Sequence, residues 1–221
     1  MIFKAVLFDM DGLMTDTETL HIRAWDEFLS DFGVKLPESY LGRFVGMSID
    51  ANMREVMGTF GVKGGLEELI IRRRDRYLGL VRRAGLVPAK GMKEILEKIE
   101  NNGMLKAIGT SSPRVEVELV AGMVLKALGI NKGPYEYFDT VVNAEDVAEP
   151  KPAPDIYLKC SEKLNVKPAE CLVLEDSSSG IKSAKRAGCF CVAVQSPYSG
   201  HHDLTIADKN VDSLLDVLEL L

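Results

Sequence analysis

The 221-residue sequence predicts an α/β fold, a doubly wound parallel sheet interrupted after its first strand by a block of helices. Three observations predict it. From residue 87 onward, short apolar runs alternate with helix-periodic stretches. Residues 16–86 carry helical periodicity with no strand signal. The first apolar run, Ala5–Phe8, has no polar position, as expected of a strand buried on both faces. The division that follows is an α/β core from 1–15 and 87–221, with a helical insertion at 16–86.

The elements can be justified in order. Ala5–Phe8 ends in Asp9-Met10-Asp11-Gly12, where two carboxylates fall two residues apart and so on one face of extended chain. Gly12 lets the backbone turn away. In the insertion, Leu20, Ala24, Trp25, Phe28, Leu29 and Phe32 form an amphipathic stripe that stops near Gly33. A short helix is expected from Pro37 to about Val45. A third follows Ser48 to about Met57, and a fourth spans Leu66 to Val81 with Leu69, Ile70, Arg73, Tyr77 and Leu80 on its inner face. The core resumes with a helix over Met92–Asn101, a strand over Leu105–Gly109, a helix from Val115 to Leu128 and a strand over Phe138–Val142. Next come a helix over Asp155–Leu164, a strand over Cys171–Leu174, a helix over Ile181–Ala187, a strand over Cys189–Val194 and a closing helix over Val211–Leu220. Strands alternating with helices imply right-handed crossovers and a Rossmann-like parallel sheet.

Composition narrows the function. Hydrophobic content of 46% and charged content of 27% are those of an ordinary globular protein. A net charge of −6 argues against a nucleic-acid partner. No apolar run nears the ~20 residues of a membrane span, and the chain enters its first strand with no apolar leader, so a cytoplasmic protein is expected. Cys160, Cys171, Cys189 and Cys191 lack metal-ligand spacing and read as buried free thiols. Oligomeric state is not readable from the sequence, and a monomer is compatible with it.

Four strand ends carry the chemistry. The first offers Asp9 and Asp11. The second offers Thr110 and Ser111, hydroxyls just before a helix where anions bind. Lys151 stands between Pro150 and Pro152, expected to hold it on stiff, extended chain, and Glu175-Asp176 follow the apolar run Cys171–Leu174. Each signal alone is also met by helix capping or by a solvated side chain. Together they compose hard oxygen ligands for a magnesium ion and a cation for a phosphate.

Asp9-Met10-Asp11-Gly12-Leu13-Met14-Thr15-Asp16-Thr17, Gly109-Thr110-Ser111-Ser112, Lys151-Pro152-Ala153-Pro154-Asp155 and Glu175-Asp176-Ser177 together resemble the motifs of the haloacid dehalogenase superfamily, in its phosphotransferase form. The resemblance implies Asp9 as nucleophile and Asp11 as general acid/base. It implies Mg2+ held by Asp9, the Asp11 carbonyl, Asp176 and, at or near the shell, Glu175, with Thr110, Ser111 and Lys151 on the phosphoryl oxygens. Asp11 argues against dehalogenation, because the dehalogenases of the family lack this second aspartate. The insertion resembles the family's helical cap, with hinges expected at Thr15–Thr17 and Arg83–Val87. A small phosphorylated metabolite is the implied substrate.

Thr15-Asp16-Thr17 and His21-Ile22-Arg23-Ala24-Trp25 are similar to the β-phosphoglucomutase-like branch, in which a histidine at this place couples closure to proton transfer. That branch also grips a second phosphate with a cap arginine. Here Gly46-Met47-Ser48-Ile49-Asp50 puts Ile49 in its place, which favours a phosphatase over a mutase. Arg72, Arg73, Arg74 and Arg76 read as a solvated basic face paired with Glu67 and Glu68, with inward-facing Arg73 as the candidate for a substrate contact instead. His21 borders the inner face and is a candidate for active-site proximity, while His201 and His202 read as exposed. A non-catalytic alternative is a phosphoacceptor receiver-like domain. Its acceptor aspartate, however, follows a later strand, and it lacks the insertion.

Overall fold

A computed structural model describes residues 2–37, 40, 49–196 and 203–221. The short helix expected from Pro37 to Val45, the Gly46-Met47-Ser48 break, and His201 and His202 lie outside the described residues, apart from Pro37 and Tyr40. The chain divides into two compact units, Met1–Asp16 with Leu86–Leu221, and Thr17–Gly85.

The first unit is built on six parallel strands: β1 (Ala5–Phe8), β2 (Leu105–Gly109), β3 (Thr140–Val142), β4 (Cys171–Glu175), β5 (Phe190–Val194) and β6 (Lys209–Val211). Their spatial order is β3-β2-β1-β4-β5-β6, with every pairing parallel. The order reverses beside β1, the place where doubly wound sheets leave a crevice at their carboxyl ends. Phe8 lies in register with Ile108 of β2 and with Leu174 of β4. The residues just past those positions therefore converge: Asp9, Gly109-Thr110 and Glu175-Asp176.

All four residues of β1 are buried, because both faces of the strand are covered. Ala5 and Leu7 join a core with Ile156, Tyr157 and Cys160 of α7 (Asp155–Leu164) and Ile181, Ala184 and Ala187 of α8 (Ser178–Ala187). Val6 and Phe8 alternate with them and are buried on the other face, where the Phe8 ring meets Phe138 edge-on. Helices α4 (Met92–Asn101), α5 (Arg114–Ala127) and the short α6 (Pro134–Tyr137) complete the crossovers. The four cysteines are buried free thiols.

The end of the chain corrects the sequence reading. In place of one helix over Val211–Leu220 there are the edge strand β6 and a 3-10 helix, Leu214–Leu220. Lys209-Asn210-Val211 has too few apolar residues to signal a strand, and it forms by pairing with the free edge of β5. The Asp216 carboxylate then accepts from Ser213 N and Oγ at the head of the 3-10 helix, which starts three residues later than expected. Phe138 and Asp139 also fall outside β3, because the short helix α6 precedes them.

The second unit contains α1 (Glu18–Ser30), α2 (Ile49–Phe60) and α3 (Leu66–Ala84). Trp25, Phe28, Leu29, Met53, Val56 and Leu69 form its core, and Ile49 packs against it as a half-buried hydrophobe. Gly33 takes φ +71° just beyond α1, which a residue with a Cβ resists.

The arginine run of α3 does not read as one solvated face. Arg72 and Arg76 both pair with Asp31 beyond α1, rather than with Glu67 and Glu68. Arg73 is buried, because it lies on the Leu69–Tyr77–Leu80 stripe. Its guanidinium lies 4.9 Å from the Trp25 ring centroid and 5.5 Å from that of Tyr77. Its Nη2 donates to the His21 carbonyl at 3.0 Å and meets His21 Nδ1 at 2.9 Å. A guanidinium only donates, so Nδ1 accepts and the imidazole proton sits on Nε2. The His21 ring stacks on Tyr77 at 3.8 Å, which completes the cluster.

Candidate active site

The site is assembled where β1, β2 and β4 end. Asp9 follows β1 directly, and its N–H donates to the Leu174 carbonyl at 3.0 Å, which ties it beside the end of β4. Gly12, at φ +82°, turns the chain, and a Cβ there would collide with the Asp176 carboxylate. Gly180 does the same for Glu175, whose carboxylate fills the volume a Gly180 side chain would take. Asp9, Glu175 and Asp176 are all buried and each offers a carboxylate oxygen within 4.8 Å of the others. Three buried carboxylates at that spacing repel one another unless a cation intervenes.

Lys151 supplies one cation. Its Nζ donates to Asp9 Oδ1 at 2.6 Å and to Glu175 Oε1 at 2.7 Å, and it is itself buried. Contrary to expectation, Lys151 lies in a turn rather than on extended chain, and its bond to Pro152 is cis. Burial would depress its ammonium, but the Asp9 and Glu175 charges outweigh that and hold it above the usual lysine range. Burial pushes the Asp9 carboxyl up to about 7, with the Glu175 charge adding to the rise and Lys151 opposing it. The lysine thus leaves the carboxylate cluster short of positive charge. Oxygen-only donors of this kind suit a hard divalent cation.

Two residues given no role of their own in the sequence reading complete the site. Ser112 Oγ donates to Asp11 Oδ2 at 2.6 Å. Ser111, named with Thr110 as a hydroxyl before the helix, is exposed, while Thr110 is buried and its Oγ1 accepts from Ser112 N at 3.0 Å. Thr110 therefore shapes the turn that aims Ser112. The second is Tyr157, fully buried on α7, whose hydroxyl donates to Glu175 Oε1 at 2.7 Å. The second serine of a Thr-Ser-Ser run, and a tyrosine on an apolar helix face, carry no distinguishing signal in a single sequence.

The fold and this cluster define a class: phosphoric monoester hydrolases built on a doubly wound sheet. The family model of haloacid dehalogenase-like hydrolases matches residues 6–194, and the chain belongs to that family. A phosphorylated carbohydrates phosphatase of Thermotoga maritima is 33% identical over 185 residues, covering 84% of this chain and 82% of that one. A beta-phosphoglucomutase of Bacillus subtilis is 29% identical over 203 residues, covering 86% and 83%. The crystal structure of a CbbY variant from Rhodobacter sphaeroides in complex with xylulose-(1,5)bisphosphate superposes with a TM-score of 0.85 at 25% identity, covering 98% of this chain and 96% of that one. With the family established, the receiver-like alternative is set aside. Among the described residues no helix is long and apolar enough to cross a membrane.

Proposed function

We propose that the chain is a magnesium-dependent phosphatase that hydrolyses a small phosphorylated metabolite, a sugar phosphate or a close analogue, through an aspartyl-phosphate on Asp9. The observation that carries this reading is the convergence of Lys151 Nζ on Asp9 and Glu175, 2.6 and 2.7 Å away, beside the Asp176 carboxylate. Asp9, Asp176, the Asp11 carbonyl and, at or near the shell, Glu175 are the groups that would hold Mg2+. The ion supplies positive charge that lowers repulsion between the carboxylate and the phosphoryl oxygens.

An Asp9 oxygen attacks phosphorus, and the bond from phosphorus to the ester oxygen breaks. Asp11 gives its proton to the departing oxygen. Asp11, now a carboxylate, takes a proton from water as that water attacks phosphorus, the Asp9–phosphorus bond breaks, and inorganic phosphate leaves. The Ser112 hydroxyl orients Asp11 for both transfers. Lys151, with Thr110 and Ser111 at the neighbouring strand end, receives the phosphoryl oxygens and offsets their charge. The helical unit has the role of the family's substrate-selecting cap, and within it Arg73 holds the His21 imidazole in the Nε2–H form.

The similarity to phosphorylated-carbohydrate enzymes supports the sugar-phosphate class. Ile49, packed against apolar side chains, supports hydrolysis over a mutase that needs a second phosphate grip. Release of phosphate from p-nitrophenyl phosphate, with and without Mg2+, tests the reaction. Asp9→Asn is expected to abolish it, and appreciable turnover by that variant removes Asp9 as nucleophile. Incubation with β-glucose 1-phosphate and a trace of the 1,6-bisphosphate tests the alternative. Conversion to glucose 6-phosphate without free phosphate makes the chain a mutase.

A further inference from the structure

Glu175 is the most heavily committed side chain of the site. Its Oε1 accepts from Lys151 Nζ at 2.7 Å and from the Tyr157 hydroxyl at 2.7 Å. Its Oε2 accepts from Asp176 N at 3.1 Å, Ser177 N at 3.2 Å and Ser177 Oγ at 3.0 Å. A carboxylate has about four lone-pair sites, so these donors hold both oxygens in place. All but one of the groups tied to it either belong to the neighbouring strand-end turn or reach the Asp9 cluster directly. Tyr157 is the exception, because it comes from α7 and its hydroxyl meets Glu175 rather than Asp9.

The hydroxyl is not explained by packing. Its neighbours on the inward face of α7 are Ile156, Cys160 and Leu164, and a phenylalanine would fill the same space. A buried hydroxyl is costly unless bonded, and this one has a single proton, which goes to Glu175. The Tyr157 ring also lies under the Lys151 ammonium, 4.8 Å from centroid to Nζ. Tyr157 therefore constrains both partners of the Lys151–Glu175 pair. Without its proton, Oε1 has the lysine as its only remaining donor, and the carboxylate can draw the ammonium away from Asp9.

We propose that Tyr157 is a positioning residue of the phosphoryl-transfer site. Its hydroxyl holds the Glu175 carboxylate, and through it the Lys151 ammonium and the Asp176 turn, in the arrangement that receives a divalent ion and a phosphoryl group. This rests on the hydrolase reading above for its catalytic arm, but its ion-binding arm is read without turnover.

The test is Tyr157→Phe in the full chain, with Ile156→Val on the same helix as a packing control. Calorimetric titration with Mg2+ is expected to show about tenfold weaker binding in Tyr157→Phe and wild-type binding in Ile156→Val, as expected for a lost hydrogen bond to a charged group. With p-nitrophenyl phosphate at saturating Mg2+, kcat falls about tenfold while KM stays within about twofold. Combined with Glu175→Gln, Tyr157→Phe adds nothing further, because it acts through that carboxylate. Wild-type Mg2+ affinity and kcat in Tyr157→Phe overturn the proposal, and so does full additivity with Glu175→Gln. If Tyr157→Phe does not fold, the wild-type chain labelled with 3-fluorotyrosine decides. Its Tyr157 19F resonance should move as Mg2+ is added, and a resonance indifferent to the ion overturns the coupling. A wild-type chain that binds Mg2+ but releases no phosphate refutes the hydrolase reading alone, with the calorimetry still deciding Tyr157. One that binds no divalent ion overturns both.

Discussion

Lys151 in the first unit and Arg73 in the second are both buried long cations, and their described surroundings differ. Lys151 sits among charges, 2.6 Å from Asp9 and 2.7 Å from Glu175. Arg73 sits among aromatic rings and two neutral acceptors of His21. A compact ammonium between carboxylates can be shared with an incoming anion, since its partners already oppose one another and only its three donors need redistribution. A planar guanidinium stacked on indole and phenol is fixed in orientation and has little reason to leave. The first arrangement suits transfer chemistry and the second suits architecture. Burial of a cation does not by itself mark a reaction centre, and the identity of its acceptors separates the two cases.

Four substitutions break or sharpen that contrast. Lys151→Met should have the largest effect, at least about 10³-fold on kcat, because the substitution removes a full positive charge from beside the phosphoryl oxygens. Steady-state phosphate release measures it, and a loss below tenfold would place Lys151 with Arg73 as a structural cation. Asp11→Asn should follow, with hydrolysis down about 10²–10⁴-fold. The chain should still label covalently, since Asp9 is intact and only proton transfer is lost. Mass spectrometry of the quenched protein detects the adduct, and rapid turnover by this variant ends the acid/base assignment.

Arg73→Met should be felt as stability, about 2 kcal/mol from the lost His21 hydrogen bonds and ring contacts. The urea midpoint reads it, and an unchanged midpoint would mean that the aromatic cradle contributes nothing. Asp31→Asn should be smallest, about 0.5 kcal/mol at pH 7, as expected of a surface pair. Burial opposes ionisation of Asp31, but the hydrogen bonds and charges of Arg72 and Arg76 together outweigh it and hold its carboxyl below the usual range. Its contribution is therefore present above the unfolded carboxyl pKa and lost as pH falls through the lower folded one. The difference between wild type and variant should accordingly vanish in acid, and a gap that persists there would exclude the ion pair as its source.

Much of the candidate site in the α/β unit was legible because its residues stand at strand ends. Asp9, Thr110 and Glu175-Asp176 each adjoin a short apolar run, and runs of that kind align when strands lie parallel. Lys151 was legible from its two prolines, although its local backbone was read wrongly. Ser112 and Tyr157 were not legible, because each acquires its role from a partner more than a dozen residues away, Asp11 and Glu175 respectively. Arg73 lay on a stripe that periodicity identified, yet its neighbours Arg72, Arg74 and Arg76 made the whole run look solvated. The edge strand β6 escaped notice because hydrogen bonding to β5, and not hydrophobicity, creates it.

The two vacancies left by glycine have a consequence for how such a pocket can change. At positions 12 and 180 a single added methyl would occupy space that Asp176 and Glu175 already fill. Acid and glycine therefore form interlocked pairs, in which the glycine cannot gain a side chain while its acid stays. Grafting the Glu-Asp dipeptide onto another parallel sheet would fail unless the opening turn of the following helix were bared as well.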